Sequence, residues 1–175
     1  EILKSAPDSV ESYDDHTFSL AIKYFPELAI QMKTGIIPMG LSLLPEMVMV
    51  ATGGVPKLVV LVEFRSDAQA DALAKVQALR STIDPLSKTK SMRIARNEHA
   101  AKKYWAIRRE AFNLLRKKVR GKKTAPFIDD FVVPPLTLPE FLPKLQEILS
   151  HYDLTYTIAG HVGDGNFHII PLIDP

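Results

Sequence analysis

Thr155-Tyr156-Thr157-Ile158-Ala159-Gly160-His161-Val162-Gly163-Asp164-Gly165-Asn166-Phe167-His168-Ile169-Ile170-Pro171-Leu172 is a pair of β-prone runs joined through Asp-Gly. The flanks are β-branched, aromatic or aliphatic, and Asp-Gly tolerates the positive φ of a type I′ turn. The stretch therefore reads as a β-hairpin. A two-residue turn at Asp164-Gly165 pairs Gly163 with Asn166, Val162 with Phe167 and His161 with His168. Side chains opposite each other in such a ladder have Cβ atoms roughly 4.5–5.5 Å apart on one face. Asn166, two residues before His168, shares that face. The expected result is two facing imidazoles with an amide beside them, above glycines that leave room for a ligand.

Working outward, residues 13–33 have helical apolar spacing that Pro26 interrupts, so one helix and two shorter pieces are both open. Ile36 to Leu44 reads as extended. Lys57 to Phe64 (KLVVLVEF) is the strongest strand, and its near-continuous apolar character predicts a central position covered on at least one face. Ser66-Asp67-Ala68-Gln69 and Thr137-Leu138-Pro139-Glu140 read as capping boxes ahead of two helices. Residues 88–94 read as a strand, and a long helix runs over 96–119 with Gly121 as its C′ residue. Phe127 to Val133 reads as extended up to Pro134-Pro135. Helices and strands alternate, yet hairpins are present. The predicted class is α+β, with a mixed or antiparallel sheet, helices packed on one face, and a ferredoxin-like split βαβ arrangement as the nearest architecture.

The 175 residues suit one domain with a core of its own. Formal charge is 22 minus 20, or +2, too small to argue for nucleic acid as a partner. The absence of cysteine excludes disulfides, thiolate metal sites and cysteine nucleophiles. No apolar run reaches the roughly 18–20 residues of a spanning helix, and no signal peptide opens the chain. A cytoplasmic location follows as the expectation. A sequence that begins at Glu1 and stops just past a strand reads as a piece of a longer protein.

Two groups carry candidate chemistry. His161 and His168 could ligate a divalent metal such as zinc, or accept protons, or simply be surface histidines beside a turn. No third ligand is evident; Asp129 and Asp130 qualify only if their strand is adjacent. Arg108 falls near the middle of an apolar stripe made by Ala101, Tyr104, Trp105, Phe112, Leu115 and Val119. A guanidinium there needs an anionic partner. It reads equally as a clamp for a substrate carboxylate, as an internal salt bridge to Asp130 or Asp129, or as a stem packed with its head in water. The basic run Arg116–Lys123 complements a helix C-terminus, and a peripheral contact with anionic lipid is its functional alternative. His16, His99 and His151 read as solvated. No dinucleotide fingerprint, P-loop, nucleophile elbow or H-E-x-x-H motif is present.

Trp105-x-x-Arg108, Asp130-x-x-Val133-Pro134 and Gly160-His161-x-Gly163-Asp164-Gly165-Asn166-x-His168, taken together, resemble the C-terminal domain of FAD-linked oxidases. The likeness is to the vanillyl-alcohol-oxidase-type superfamily, in its D-lactate, glycolate and D-2-hydroxy-acid dehydrogenase branch. Gly35-Ile36-Ile37-Pro38 and the strand ending in Val62-Glu63 also fit. The resemblance implies a substrate-binding cap over a flavin ring, one domain over residues 1–175 of a longer flavoenzyme whose FAD-binding domain and C-terminal end are not in this sequence. It implies FAD held mainly outside this chain and hydride transfer from a 2-hydroxy acid. His161 and His168 match positions that bind a divalent metal or assist deprotonation of the hydroxyl; Asn166 matches one that touches the substrate; Arg108 matches one that grips its carboxylate. The glutamate that completes the family's metal site has no counterpart here. Phe112 and Ile128 replace a threonine and a lysine that hold a second carboxylate, which disfavours dicarboxylates and favours a lactate- or glycolate-like substrate. Ser42 stands where many relatives carry a glutamate. A flavin oxidoreductase for phenolic alcohols and a non-redox ligand-binding module are the alternatives. The electron acceptor and a homo-oligomeric state stay open.

Overall fold

A strand that the apolar pattern does not announce lies at the heart of the sheet. Ser9–Asp14 (SVESYD) form β1, flanked by β2 and β5 and buried along nearly its whole length. The computed structural model describes residues 1–31, 36–84, 92–118, 122–125 and 130–173. Among these, β1 is followed by α1 (Asp15–Lys23), α2 (Phe25–Gln31), α3 (Ile36–Gly53), β2 (Leu58–Glu63), α4 (Gln69–Ile83) and α5 (Glu98–Lys118). Then come β3 (Lys123–Thr124), β4 (Asp130–Val132), α6 (Leu138–Ser150), β5 (Thr155–Gly160) and β6 (Asn166–Ile173).

The six strands form one open sheet in the order β2-β1-β5-β6-β3, with β4 also pairing to β6. Every pairing is antiparallel. The α+β class and the antiparallel sheet agree with the sequence. Side chains alternate between two layers. Tyr13, Val59, Leu61 and Ala159 join Phe18, Ala21, Leu28, Leu43 and Ile107 in a core under α1, α2, α3 and α5. Tyr156, Ile158, Phe167 and Ile169 face the other way, against Leu138, Leu145 and Leu149 of α6. The helical layer expected on one face is thus joined by α6 on the opposite face.

Several local expectations change. The helical pattern over 13–33 resolves into β1's last two residues and two short helices. Asp14 caps α1, accepting from Thr17 N–H at 2.9 Å and from the Thr17 hydroxyl at 2.6 Å. Ile36–Leu44 is helical, not extended, because Leu43, Glu46 and Val50 recur at three- and four-residue spacing against the core. Among the described residues β2 is an edge strand paired only to β1, with Leu58 and Val60 exposed on one face, so its apolar run does not mark a central strand there. Neither capping box forms. Gln69 reaches Arg96 O at 2.7 Å, and the Thr137 hydroxyl donates back to Pro134 O at 2.8 Å within a 3₁₀ turn. Residues 92–94 are not strand; residues 88–91, Gly35, Gly121 and 126–129, including Ile128 and Asp129, lie outside the described residues.

Candidate active site

The turn of the β5–β6 hairpin is longer than two residues. Val162–Asp164 form a 3₁₀ turn, Gly165 follows at φ 73°, and Asn166 N–H donates to His161 O at 3.1 Å. The ladder pairs Ala159 with His168 and Ile158 with Ile169. His161 is therefore across from Asn166, and His168 lies two residues further along the partner strand. The two imidazoles share a face, as expected, but sit diagonally rather than directly opposite. The cause is steric. An atom in the Cβ position of Gly165 would lie 1.8 Å from Val133 O, and one on Gly160 would lie 2.3 Å from Phe167 Cα. The glycines admit the chain's own backbone rather than space for a ligand.

Each imidazole meets a carboxylate. His161 Nδ1 is 2.5 Å from Glu11 Oε1. His168 Nδ1 is 3.6 Å from Asp130 Oδ1, and Asn166 Nδ2 donates to the same oxygen at 2.6 Å. β4 supplies Asp130 because its register sets Asp130 across from His168. β1 supplies Glu11 because Ser12 pairs with Gly160, which brings residue 11 beside His161. Glu11 Oε2 in turn lies 2.6 Å from Arg108 Nη2. The buried residues at this level of α5 are Ala106 and Ile107, so Arg108 stands at the margin of the packed face rather than in its middle.

Arg108 and His168 line one cleft of about 170 Å³. Arg109, Thr17 and Thr157 add polar groups to its wall, and Ala159 and Ile170 add apolar ones. Arg108 Nε is buried and has no hydrogen-bond partner among the described residues. A guanidinium lining a cleft is suited to an anion, because it can hold a carboxylate through two parallel N–H bonds. His161 is tied to the cleft through Glu11 and Arg108. Asn166 is held by Asp130 and does not line it. Of the readings left open for Arg108, an internal ion pair does form, with Glu11 rather than Asp130 as the partner.

Glu11 was not legible in the sequence because Ser9–Asp14 holds Ser, Glu and Asp, which are poor strand formers, and its last two residues fell into the helical pattern over 13–33. The signal was indirect: a guanidinium bordering an apolar face demands an acid. Arg109, next to Arg108 on α5, also lines the cleft.

Two histidines fall short of the four ligands that zinc usually takes. Among the described residues no three His, Asp, Glu or Cys side chains come together to hold a metal. The cleft is also too small for a dinucleotide, so the residues here do not form a flavin cradle. Among the described residues no helix is long and apolar enough to cross a membrane. His16, His99 and His151 are exposed, with His16 stacked on Tyr156.

The chain is an α+β layer in which an arginine and one histidine line a small cleft. The chain belongs to the family described as FAD linked oxidases, C-terminal domain, which it matches over residues 2–175. Among curated proteins it is similar to D-2-hydroxyglutarate dehydrogenase of Pseudomonas putida, 30% identical over 120 residues, or 65% of this chain and 12% of that protein. It is similar to the enzyme of the same name from Escherichia coli, 29% identical over 119 residues, with the same coverage. A probable mitochondrial D-lactate dehydrogenase of Danio rerio is 33% identical over 81 residues, 46% of this chain and 16% of that protein. The chain thus spans a small part of the length of these relatives.

Proposed function

We propose that this chain is the substrate-binding cap of an FAD-dependent oxidoreductase acting on a 2-hydroxy acid, with a lactate- or glycolate-like monocarboxylate as substrate. The observation that carries the reading is Arg108, ion-paired to Glu11 and lining a cleft that His168 also lines. The family and the names of the relatives point the same way.

In this reading the guanidinium of Arg108 takes the substrate carboxylate and fixes the 2-hydroxyl toward His168. His168, with its Nδ1 side turned to Asp130, accepts the hydroxyl proton as the carbonyl forms. His161 supports the same face. Asn166 orients His168's neighbourhood through the Asp130 oxygen they share. Bound flavin supplies the hydride acceptor, held mainly by polypeptide beyond these residues. The product is the 2-oxo acid. No step is assigned to a metal.

The monocarboxylate preference rests on Phe112 and Ile128, whose side chains are outside those described. The test is anaerobic flavin bleaching in the full flavoenzyme carrying this chain, with glycolate, D-lactate and D-2-hydroxyglutarate. Bleaching is expected with the monocarboxylates at the higher kcat/KM. Faster bleaching by D-2-hydroxyglutarate would reverse the substrate preference, and no bleaching by any 2-hydroxy acid would remove the activity.

A further inference from the structure

Glu11 is the most deeply buried carboxylate facing the site, its side chain 6% exposed. A buried carboxylate is tolerated where its oxygens have donors. Here one oxygen faces Arg108 Nη2 and the other His161 Nδ1, at 2.6 and 2.5 Å. Glu11 Oε2 and the guanidinium are thus an ion pair by distance, while Glu11 Oε2 and Arg108 Nε both lack a hydrogen-bond partner among the described residues.

We propose that Glu11 is a positioning residue that couples the carboxylate grip of Arg108 to the tautomer of His161, an inference that rests on the hydroxy-acid reading above. Arg108 has only donors, so its partner must accept. A neutral imidazole that donates Nδ1–H to the other oxygen keeps Nε2 as an acceptor. Only a carboxylate serves both neighbours in this way. A glutamine at position 11 has a single acceptor oxygen. The charge-assisted bond to Arg108 claims that oxygen. The amide NH₂ then meets His161, turns Nδ1 into an acceptor and moves the ring proton to Nε2. The grip on the substrate carboxylate survives, and one proton acceptor on the site face is lost.

The experiment uses the full flavoenzyme with ¹⁵N-labelled histidine, chelator present, at a fixed pH at which the imidazoles are neutral. Long-range ¹H–¹⁵N NMR reads which nitrogen of His161 carries the proton. The wild type is expected to show Nδ1–H, and Glu11→Gln to show Nε2–H. In turnover with D-lactate, Glu11→Gln is expected to lower kcat about 10- to 100-fold without raising KM. A merely structural role would instead raise KM and leave the tautomer unchanged. Nε2–H in the wild type, or an unchanged tautomer in Glu11→Gln, overturns the proposal even if the variant is poorly active. A wild type that shows Nδ1–H yet oxidises no 2-hydroxy acid sinks the functional reading while leaving the Glu11–His161 pairing supported.

Discussion

Asp14 shows how a single residue serves two demands that conflict. Its carboxylate caps α1 through Thr17 and is almost fully buried. Burial raises its pKa, and the Thr17 hydrogen bonds offset that only in part. A folded-state value above the unfolded one means that the native state binds the proton more tightly. Stability therefore falls as pH rises through that window, and the cost of the charged form is fully present at neutral pH. Asparagine keeps the cap and removes the charge. Asp14→Asn is expected to unfold at a higher urea concentration than the wild type at pH 7, with the difference shrinking as pH falls toward about 4 and gone below it. An equal difference at both pH values would contradict this. None of it was visible in the sequence, where Asp14 fell at the start of a helical pattern over 13–33. Arg108 was more legible, because a guanidinium bordering apolar helix positions has few physical solutions. Its partner, Glu11, was not legible, since nothing local marks a buried acid on a strand of Ser, Glu and Asp.

At the level of elements, the hairpin was readable in outline and misregistered in detail. Asp-Gly correctly located the turn. Its length depended on contacts with β1 and with Val133 that no local rule contains. Gly163, for example, sits where a Cβ would lie 2.8 Å from Val10 Cβ. Gly165 combines φ 73° with Val133 N–H donating to its carbonyl at 2.9 Å. Gly165→Ala must strain the backbone and displace Val133 as well. A loss of at least about 2 kcal/mol is expected by chemical denaturation. A change within ±0.5 kcal/mol would show that the turn is not held as described. The long helix α5 was correctly placed, with Asn97 capping it through Ala100 N–H at 2.8 Å. α3 was misread because its period-three burial involves Glu46, a polar residue at a core position. Glu46 is satisfied there by Lys103 and by the Tyr104 hydroxyl.

For the whole molecule, the site exists only because distant segments meet. β1 contributes Glu11, α5 Arg108, β4 Asp130 and the hairpin both histidines, across more than 150 positions of sequence. The sheet order β2-β1-β5-β6 brings the N-terminal strand beside the C-terminal hairpin. That juxtaposition cannot be read from local patterning, although alternation of helices and strands sufficed for the α+β class. The family motif identified Arg108, His161, His168 and Asn166 together; the structure adds that Arg108 and His168 share the cleft while the other two attach to it through carboxylates.

The central claim is that Arg108 recognises a substrate carboxylate, and the most direct measurement compares D-lactate with D-lactamide as reductants of the flavin in the full enzyme, wild type against Arg108→Ala. The wild type is expected to favour the acid by about 100-fold in kcat/KM, as a charge-assisted pair worth roughly 3 kcal/mol implies, with the variant losing that preference. Equal rates with acid and amide in the wild type, or a preference that survives Arg108→Ala, would contradict the account.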